Sequence, residues 1–331
     1  MSVKKVVTYF LFFGISAVLL FLTFRNTDFS KIEEQVYTLH WGFVGLCFLI
    51  TMFAHFLRAW RWKLLLEPMG YEARLSTSFY AVMVGYLTNY AIPRGGEIAR
   101  CGVVFGTDKI PVDKLLGTVV TERVIDVLLL MAIFIITLFL EFTTINSFIH
   151  FDDLWLQHQQ LIYVALGLLS LGLVLMVVYR KRIIEIGLVK KVLNVLRGFN
   201  EGLTSVFKIK KQLLFWMQSI GIWVGFFFIN YTFMRAMPIT ENLSWIVVLV
   251  VLAMGAVGFA IPTPGGAGSY HYIIKITLVF YALNASDAEA YALVSHTMQA
   301  AFVAFAGSIS LYLAFLQRKK NNNESSTTIT A

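Results

Sequence analysis

Four stretches of the chain carry no charged side chain over the length that a helix needs to cross a lipid bilayer. They are residues 6–24, 161–179, 212–234 and 242–261. A bilayer core about 30 Å thick takes roughly 20 helical residues. The apolar positions are continuous rather than alternating, and this pattern favours helices over a closed barrel. The sequence predicts an all-α integral membrane protein.

Composition supports the same class. Of the 331 residues, 58% are apolar and 14% are charged, whereas a soluble globular chain is about a quarter charged. Residues 6–24 are long for a signal peptide and end without a small-residue cleavage site, so they are expected to remain as a helix. Cys47 and Cys101 lie far apart and predict neither a disulfide framework nor a metal site. No cofactor is predicted.

The Lys and Arg content of the loops sets the orientation, because cytoplasmic loops are the basic ones. Lys4 and Lys5 place the N-terminus inside, and residues 318–320 place the C-terminus there too. Residues 180–211 hold nine Lys or Arg and two Glu, which predicts a cytoplasmic amphipathic segment on the inner leaflet. The net charge of +8 follows from such loops. Without a basic–aromatic module, it predicts no nucleic-acid partner.

The parity of the crossings predicts a re-entrant hairpin. A basic loop predicted inside (58–74) and an acidic loop predicted outside (141–153) are separated by two apolar stretches, 75–92 and 124–140. An odd number of crossings must separate them, so residues 75–92 are interpreted as one arm of a hairpin that turns back at membrane depth. The tip of this hairpin contains Pro93, Gly95 and Gly96. The alternative is a full crossing by residues 75–92.

A second stretch ends in the same way. Residues 242–261 run into a turn rich in Pro and Gly, and a weaker apolar arm, 269–283, follows. The turn contains Pro262, Pro264, Gly265, Gly266 and Gly268. Each half of the chain then reads helix, helix, hairpin, helix, with the first half starting inside and the second outside. The sequence predicts about eight helical elements, two of them re-entrant hairpins, arranged as an inverted repeat like those of transporters.

The boundaries follow from this pattern. The membrane domain is predicted to span residues 1–317, with halves at 1–141 and 160–317. Residues 318–331 are polar and low in complexity, which predicts a disordered cytoplasmic tail. No oligomeric state follows from the sequence.

The first tip has the composition of an anion site. Two glycines free the backbone for a sharp turn after Pro93, and a helix that begins near Glu97 would point its free N–H groups at the tip. Arg94 and Arg100 add positive charge, which suits a phosphate group. Glu97 is expected to orient an arginine or to accept a cationic headgroup. The alternative is an ordinary cytoplasmic turn with solvated charges.

The next helix carries further ionisable candidates. Glu122 and Asp126 are four residues apart and share a helix face, with Arg123 between them, and Asp126 lies inside an apolar run. Ionisable groups at that depth are functional candidates. The expected partner of Asp126 is Arg94 or Arg100. A structural ion pair that fastens the hairpin to the helix is a compatible interpretation.

Other candidates lie before the first hairpin and after the second. Arg58 and Arg61 alternate with tryptophans at the cytoplasmic end of a helix, which is typical of interfacial anchors; contact with a lipid phosphate is the alternative. Lys275 is predicted to face an anionic group from the opposite side, and His271 follows the glycine turn. His296 is interpreted as a helix-packing hydrogen-bond partner rather than a proton relay.

A set of positions along the chain carries a resemblance to a known family. They are Arg58, Arg61, Asn89, Pro93, Gly95, Gly96, Glu97, Arg100, Glu122, Arg123, Asp126, Pro262, Pro264, Gly265, Gly266 and Gly268. These motifs resemble the lysylphosphatidylglycerol synthase transmembrane-region family, also called the flippase-like domain family, over about residues 5–317. Where the family often has an acid after the second turn, this chain has Ser269, Tyr270 and His271.

The resemblance implies a bacterial or archaeal plasma-membrane protein with a lipid-handling role. In larger relatives this membrane domain translocates aminoacylated phosphatidylglycerol, while a separate C-terminal cytosolic domain makes it. This chain ends soon after its last predicted helix, so aminoacyl transfer is not expected. Archaeal relatives are tied to dolichol-phosphate sugars. The expected partner is therefore a membrane lipid, either an anionic phospholipid or a polyprenyl phosphate.

The functional prediction is a lipid translocase, not an enzyme, in the bacterial plasma (inner) membrane. The headgroup phosphate is expected to bind between the hairpins, near Arg94, Glu97, Arg100 and Asp126. The sequence has no Gly-x-x-x-x-Gly-Lys-[Ser/Thr] loop, so ATP hydrolysis is not expected; a lipid gradient or protons would drive movement. The alternatives are a membrane-embedded transferase that acts on polyprenyl-phosphate-linked sugars through Glu97 and Glu122, and a non-catalytic scaffold for envelope enzymes.

Overall fold

The structure is a computed structural model, and it describes residues 3–25, 27, 29–149 and 206–329. Within these residues the chain forms α-helices joined by short turns, and no β-strand. The helices are α1 (Val3–Phe24), α2 (Phe29–Tyr37), α3 (Trp41–Leu66), α4 (Leu75–Ala91), α5 (Gly96–Asp108), α6 (Val112–Leu140), α7 (Phe142–Ile149), α8 (Gln212–Ala236), α9 (Trp245–Ala260), α10 (Ser269–Phe280) and α11 (Ala285–Ile329). The predicted all-α class is confirmed. The predicted helix at 161–179 and residues 180–205 of the predicted amphipathic segment lie outside the described residues.

Among the described residues, four helical segments are long and apolar enough to cross a membrane. They are Trp41–Met69, Val112–Leu140, Gln212–Ala236 and Ala285–Asn321, and they contain α3, α6, α8 and α11. Large apolar side chains such as Phe139 and Leu213 lie exposed on their outer faces. Exposed apolar surface on this scale marks contact with lipid or with another protein. The prediction of a multi-pass membrane protein is confirmed.

The helices α3 and α8 pack against each other in opposite directions. At one end, the backbone N–H of His40 donates to the carbonyl of Ala236 at 2.9 Å. At the other end, Lys211 and Glu67 form an ion pair of 3.6 Å. We call the end with Glu67 and Lys211 the inner end, and the end with His40 and Ala236 the outer end. Two neighbouring spans therefore fix the two ends of the bundle.

The first hairpin consists of α4 and α5. It begins and ends at the inner end, where the backbone and the guanidinium of Arg74 donate to Asp108 at 3.0 and 2.9 Å. The arms have 17 and 13 residues, each shorter than the roughly 20 that a crossing takes. The arms cross closely at Gly96, because a Cβ there would lie 2.2 Å from the carbonyl oxygen of Gly85. The side-chain oxygen of Asn89 accepts from the N–H of Gly96 at 2.8 Å and caps α5.

The second hairpin consists of α9 and α10, with arms of 16 and 12 residues. It begins at the outer end, since α9 follows α8 after a short turn. Gly265 and Gly268 in the tip have φ values of 56° and 83°, a region that favours glycine because a Cβ is crowded there. The helix α1 covers this tip, and the hydroxyl of Ser16 donates to the carbonyl of Ala267 at 2.8 Å.

The two tips meet inside the bundle. Gly265 lies against Tyr90, so that a Cβ on the glycine would be 2.3 Å from a ring carbon. The guanidinium of Arg94 donates to the carbonyl of Ala260 at 3.0 Å. Because the hairpins start at opposite ends and their tips touch, neither reaches the far end of the bundle. This geometry agrees with the prediction of two re-entrant hairpins and is not the one expected for a full crossing by residues 75–92.

The packing agrees with the predicted inverted repeat. In that repeat, α3 corresponds to α8, the first hairpin to the second, and α6 to α11. The helix that ends each half packs against the first hairpin arm of the other half: α11 against α4, and α6 against α9. An inverted repeat requires corresponding helices to run in opposite directions, as α3 and α8 do.

The C-terminal segment, for which a disordered tail at 318–331 is predicted, continues directly from the last span. The helix α11 continues to Ile329. The side chain of Gln317 donates to the hydroxyl of Thr77 at 2.9 Å, and that of Asn321 donates to the carbonyl of Thr107 at 2.8 Å. These two polar side chains find acceptors at the inner ends of α4 and α5.

Candidate functional site

Five ionisable side chains meet between the spans α3 and α6 and the hairpin arm α5. They are Arg58, Arg61, Arg100, Glu122 and Asp126, which we call the arginine cluster, and all five are buried. Arg58 and Arg61 are three residues apart on α3, and Glu122 and Asp126 are four apart on α6, so each pair shares one helix face. The cluster therefore joins the first hairpin to two spans.

The carboxylates bridge the arginines. Arg58 donates to Glu122 at 2.8 Å and to Asp126 at 3.1 Å. Arg61 donates to Asp126 at 2.8 Å and lies 3.3 Å from Glu122. Arg100 pairs with the other oxygen of Glu122. Glu122 thus contacts three guanidinium groups and Asp126 contacts two, and removing either carboxylate would leave buried positive charge uncompensated.

The cluster is richer in positive charge and in donors than in acceptors. Three guanidinium groups face two carboxylates, which leaves one positive charge in excess. The Nε–H groups of Arg58, Arg61 and Arg100 are buried without a hydrogen-bond partner among the described residues. An unpaired buried donor costs free energy, and more so when it is charged. This composition fits an anion that carries several acceptor oxygens, such as a phosphate.

Aromatic rings and α8 close the cluster on its other sides. The guanidinium carbon of Arg100 lies 4.1 Å from the ring centroid of Trp62, whose indole N–H donates to the hydroxyl of Thr118 at 2.8 Å. Arg61 donates to the hydroxyl of Ser219 on α8 at 3.3 Å. A cation over a tryptophan face is stabilised by the ring quadrupole. These contacts hold Arg61 and Arg100 in place in addition to their carboxylate partners.

The accessible edge of the cluster is formed by Arg123 and Glu97. The side chain of Arg123 is 46% exposed and lies 3.8 Å from Glu97 and 3.7 Å from Asp126. Both distances exceed a hydrogen bond. The Oε2 atom of Glu97 is buried and has no hydrogen-bond partner among the described residues. A ligand that approaches the cluster in this conformation meets these two side chains first.

Two sequence predictions about this site are corrected. Arg94 or Arg100 was the expected partner of Asp126, but Arg94 is exposed at the first tip and donates to the backbone of the second hairpin. Arg100 pairs with Glu122 instead. Arg58 and Arg61 were predicted as interfacial anchors, but both are buried in the cluster. The reason is that acids on α6 face α3 at this level, and a buried carboxylate left without a positively charged partner would be strongly destabilising.

The secondary candidates lie apart from the cluster, at the second hairpin. The ring of His296 is 2.9 Å from the carbonyl of Gly265, which agrees with a packing role. The Nδ1 atom of His271 accepts from the N–H of Gly268 at 3.1 Å at the start of α10. Lys275 forms an ion pair with Glu289. Sequence reasoning missed Glu289, although an acid at the start of the last apolar run was a signal for it.

A family model for the lysylphosphatidylglycerol synthase transmembrane region matches residues 9–307. The chain belongs to this family. The match to the lysylphosphatidylglycerol synthase transmembrane region includes both hairpins, the arginine cluster, Arg123, Lys275 and Glu289. A UPF0104 membrane protein of Methanocaldococcus jannaschii is 29% identical over 115 residues, which is 33% of this chain and 34% of the relative. The chain thus matches about a third of that relative's length. No solved structure matches.

Proposed function

We propose that this protein translocates a lipid with a phosphate headgroup across the membrane, with the headgroup bound at the arginine cluster and the tails in the bilayer. The excess positive charge of the cluster carries this proposal. A buried charge without a counter-ion is costly, and inside a membrane protein it marks a substrate or ion pathway. The family takes its description from the transmembrane region of lysylphosphatidylglycerol synthase. Lysylphosphatidylglycerol is a lipid whose headgroup contains a phosphate, and this supports a lipid substrate.

The accessible edge supports a route for the headgroup. Arg123 holds its carboxylate neighbours only at 3.7 and 3.8 Å, so its donors can bind a phosphate without breaking a short ion pair. The phosphate would next exchange with Glu122 or Asp126 for the buried arginines. This exchange replaces one charge-assisted bond by another, so that the positive charge is never left uncompensated.

The two hairpins supply a means of exposing the site to each side in turn. Their tips touch at Gly265 and Tyr90, and they enter from opposite ends of the bundle. In transporters built as inverted repeats, one half rocks against the other around a central site. We propose the same movement here, in a plasma membrane with both termini on the cytoplasmic side.

The transferase alternative has less support from the geometry. It requires an acid that is able to exchange a proton with substrate, and Glu122 contacts three arginines. Such contacts occupy the carboxylate oxygens that would have to accept a proton from the substrate. Of Glu97 and Glu122, the two acids that the transferase alternative would use, only Glu97 remains for general acid–base chemistry.

A lipid-movement assay in proteoliposomes tests the proposal. Fluorescent phosphatidylglycerol and a polyprenyl phosphate serve as probes, with dithionite quenching or enzymatic access reporting the outer leaflet. We expect the wild type to accelerate the movement of at least one probe. Arg123→Gln should slow that movement at least tenfold, because it removes the accessible cation while leaving the buried pairs intact.

The matched control is Lys114→Gln. Lys114 lies on α6 as well, its side chain is 52% exposed, and its ammonium lies 3.8 Å from the neighbouring Asp113. Lys114→Gln removes the same positive charge from the helix surface as Arg123→Gln does. Because Lys114 lies outside the proposed site, this variant should move lipid at the wild-type rate. Absence of movement with either probe, or equal rates for Arg123→Gln and Lys114→Gln, would contradict the proposed function.

A further inference from the structure

A partly buried ion pair between Lys275 and Glu289 lies on the far side of the hairpin tips from the arginine cluster. The ammonium of Lys275 on α10 is 2.5 Å from one carboxylate oxygen of Glu289 on α11. The other oxygen of Glu289 accepts a hydrogen bond from the hydroxyl of Thr27. Lys275 also donates to the carbonyl of Thr23 near the end of α1, at 2.9 Å. The pair therefore joins the second hairpin to α11 and to the chain that follows α1.

This pair occupies the place in the second half that Arg100 and Glu122 occupy in the first. Arg100 lies on the second arm of the first hairpin and pairs with an acid on the following helix. Lys275 lies on the second arm of the second hairpin and also pairs with an acid on the following helix. Because the hairpins enter from opposite ends, the two base–acid pairs lie on opposite sides of the tips.

Lys275 is accessible to a ligand from outside the protein, whereas its partner Glu289 is not. The side chain of Lys275 is 20% exposed, whereas that of Glu289 is 4% exposed. A lysine ammonium has three N–H donors, and the two contacts to Glu289 and Thr23 use two of them. One donor remains for a ligand that approaches from the exposed side.

We propose that Lys275 is a second binding site for the lipid phosphate, on the outer side of the tips, and that the phosphate replaces Glu289 as its partner. This inference rests on the proposed function. A headgroup that leaves the arginine cluster in the outward-open state then meets a cation before it reaches the outer leaflet. Glu289 keeps its hydrogen bond to Thr27, and it closes the site again when the lipid leaves.

The test measures binding of one water-soluble probe, dihexanoylphosphatidic acid, to the purified full chain in a neutral detergent. Every protein carries Arg123→Gln, which weakens the first site, and binding is read by titration of intrinsic fluorescence. Added to this background, Lys275→Gln should weaken binding at least tenfold. Glu289→Gln should strengthen it several-fold, because it removes the carboxylate that competes with the phosphate. Lys275→Arg should keep the affinity within a few-fold.

A purely structural ion pair gives a different result. The exchanged double variant Lys275→Glu with Glu289→Lys restores the pair and should restore thermal stability, but its cation is buried and should not recover probe binding. Dihexanoylglycerol, which lacks the phosphate, should bind all variants equally. The proposal is overturned if Lys275→Gln and Glu289→Gln both bind the probe like their parent, or if the exchanged variant binds as well as the parent.

The outcomes separate this site from the proposed function. Lipid movement by wild type, with no effect of Lys275→Gln on binding, removes the second site and leaves translocation in place. Binding that depends on Lys275 without movement of any lipid keeps the phosphate site and removes translocation.

Discussion

At the scale of single residues, the arginine cluster is the feature that sequence reasoning found only in part. Asp126 was a candidate because it lies inside an apolar run, and Glu122 because it lies one turn earlier on the same face. Their main partner Arg58 lies 64 residues from Glu122 along the chain. Tertiary packing alone brings such residues together. An arginine close to tryptophan in the sequence is equally typical of an interfacial anchor, so the pattern placed Arg58 at the membrane surface, whereas it is buried.

The central carboxylate of the cluster leads to a stability prediction. Glu122→Gln keeps the shape of the side chain but leaves three buried guanidinium groups facing one acid. We expect the free energy of unfolding to fall by about 3–5 kcal/mol, the usual cost of breaking a buried pair. Thermal unfolding in detergent, followed by circular dichroism, measures the change.

The control for this prediction is Asp113→Asn, on the same helix. Its side chain is 73% exposed and lies 3.8 Å from Lys114, and exposed pairs contribute about 0–1 kcal/mol. An unfolding midpoint of Glu122→Gln equal to that of Asp113→Asn would mean that the cluster contributes no net stability in the folded state.

At the scale of elements, the two hairpins could be predicted from the turns rich in glycine and proline. The number of crossings required between loops on opposite sides of the membrane supported the first of them. The sequence placed both tips correctly because Pro ends a helix and Gly permits a sharp return. It did not reveal that the tips touch, since the contact between Gly265 and Tyr90 joins residues that lie far apart in the chain. It also did not reveal that α11 continues beyond residue 317, where the side chain of Asn321 donates to the carbonyl of Thr107 on α5.

Close packing of the first hairpin predicts that alanine destabilises the protein at one glycine of α5 and not at another. Gly96→Ala would place its Cβ 2.2 Å from the carbonyl oxygen of Gly85, so the arms must separate, and we expect a loss of about 3 kcal/mol. A Cβ at Gly102 meets nothing within 4 Å. Gly102→Ala should therefore be neutral or stabilising by up to about 1 kcal/mol, because alanine is the better helix former.

Urea unfolding in mild detergent compares these two variants. Equal stability of the two, or a lower stability for Gly102→Ala, would show that the arms are not in close contact at Gly96. A lipid-movement rate that falls with Gly96→Ala while the protein stays folded would further connect the geometry of the hairpin with the proposed transport.

At the scale of the whole molecule, charge bias in the loops predicted which ends belong together. The structure groups Glu67 with Lys211, and Arg74 with Asp108, at the inner end, as the basic loops required. The weak internal similarity of the two tips was enough to suggest a duplication. What the sequence lacked was the antiparallel packing of α3 against α8, which is the physical signature of inversion and depends on contacts between the halves.

Labelling of single cysteines from one side of the membrane tests this arrangement. In a background with the buried Cys47 and Cys101 replaced by alanine, Lys109→Cys lies after the first hairpin at the inner end, and Asn242→Cys lies before the second hairpin at the outer end. Both positions are exposed.

In intact cells an impermeant maleimide should label Asn242→Cys fully, and Lys109→Cys only after permeabilisation. Because α4 and α5 return to their starting end, Lys109 must share the side of Arg74. A full crossing by residues 75–92 without a return by α5 would instead place Lys109 with Asn242. Labelling of Lys109→Cys in intact cells would therefore rule out the first re-entrant hairpin, and with it the opposed pair of hairpins on which alternating exposure of the arginine cluster depends.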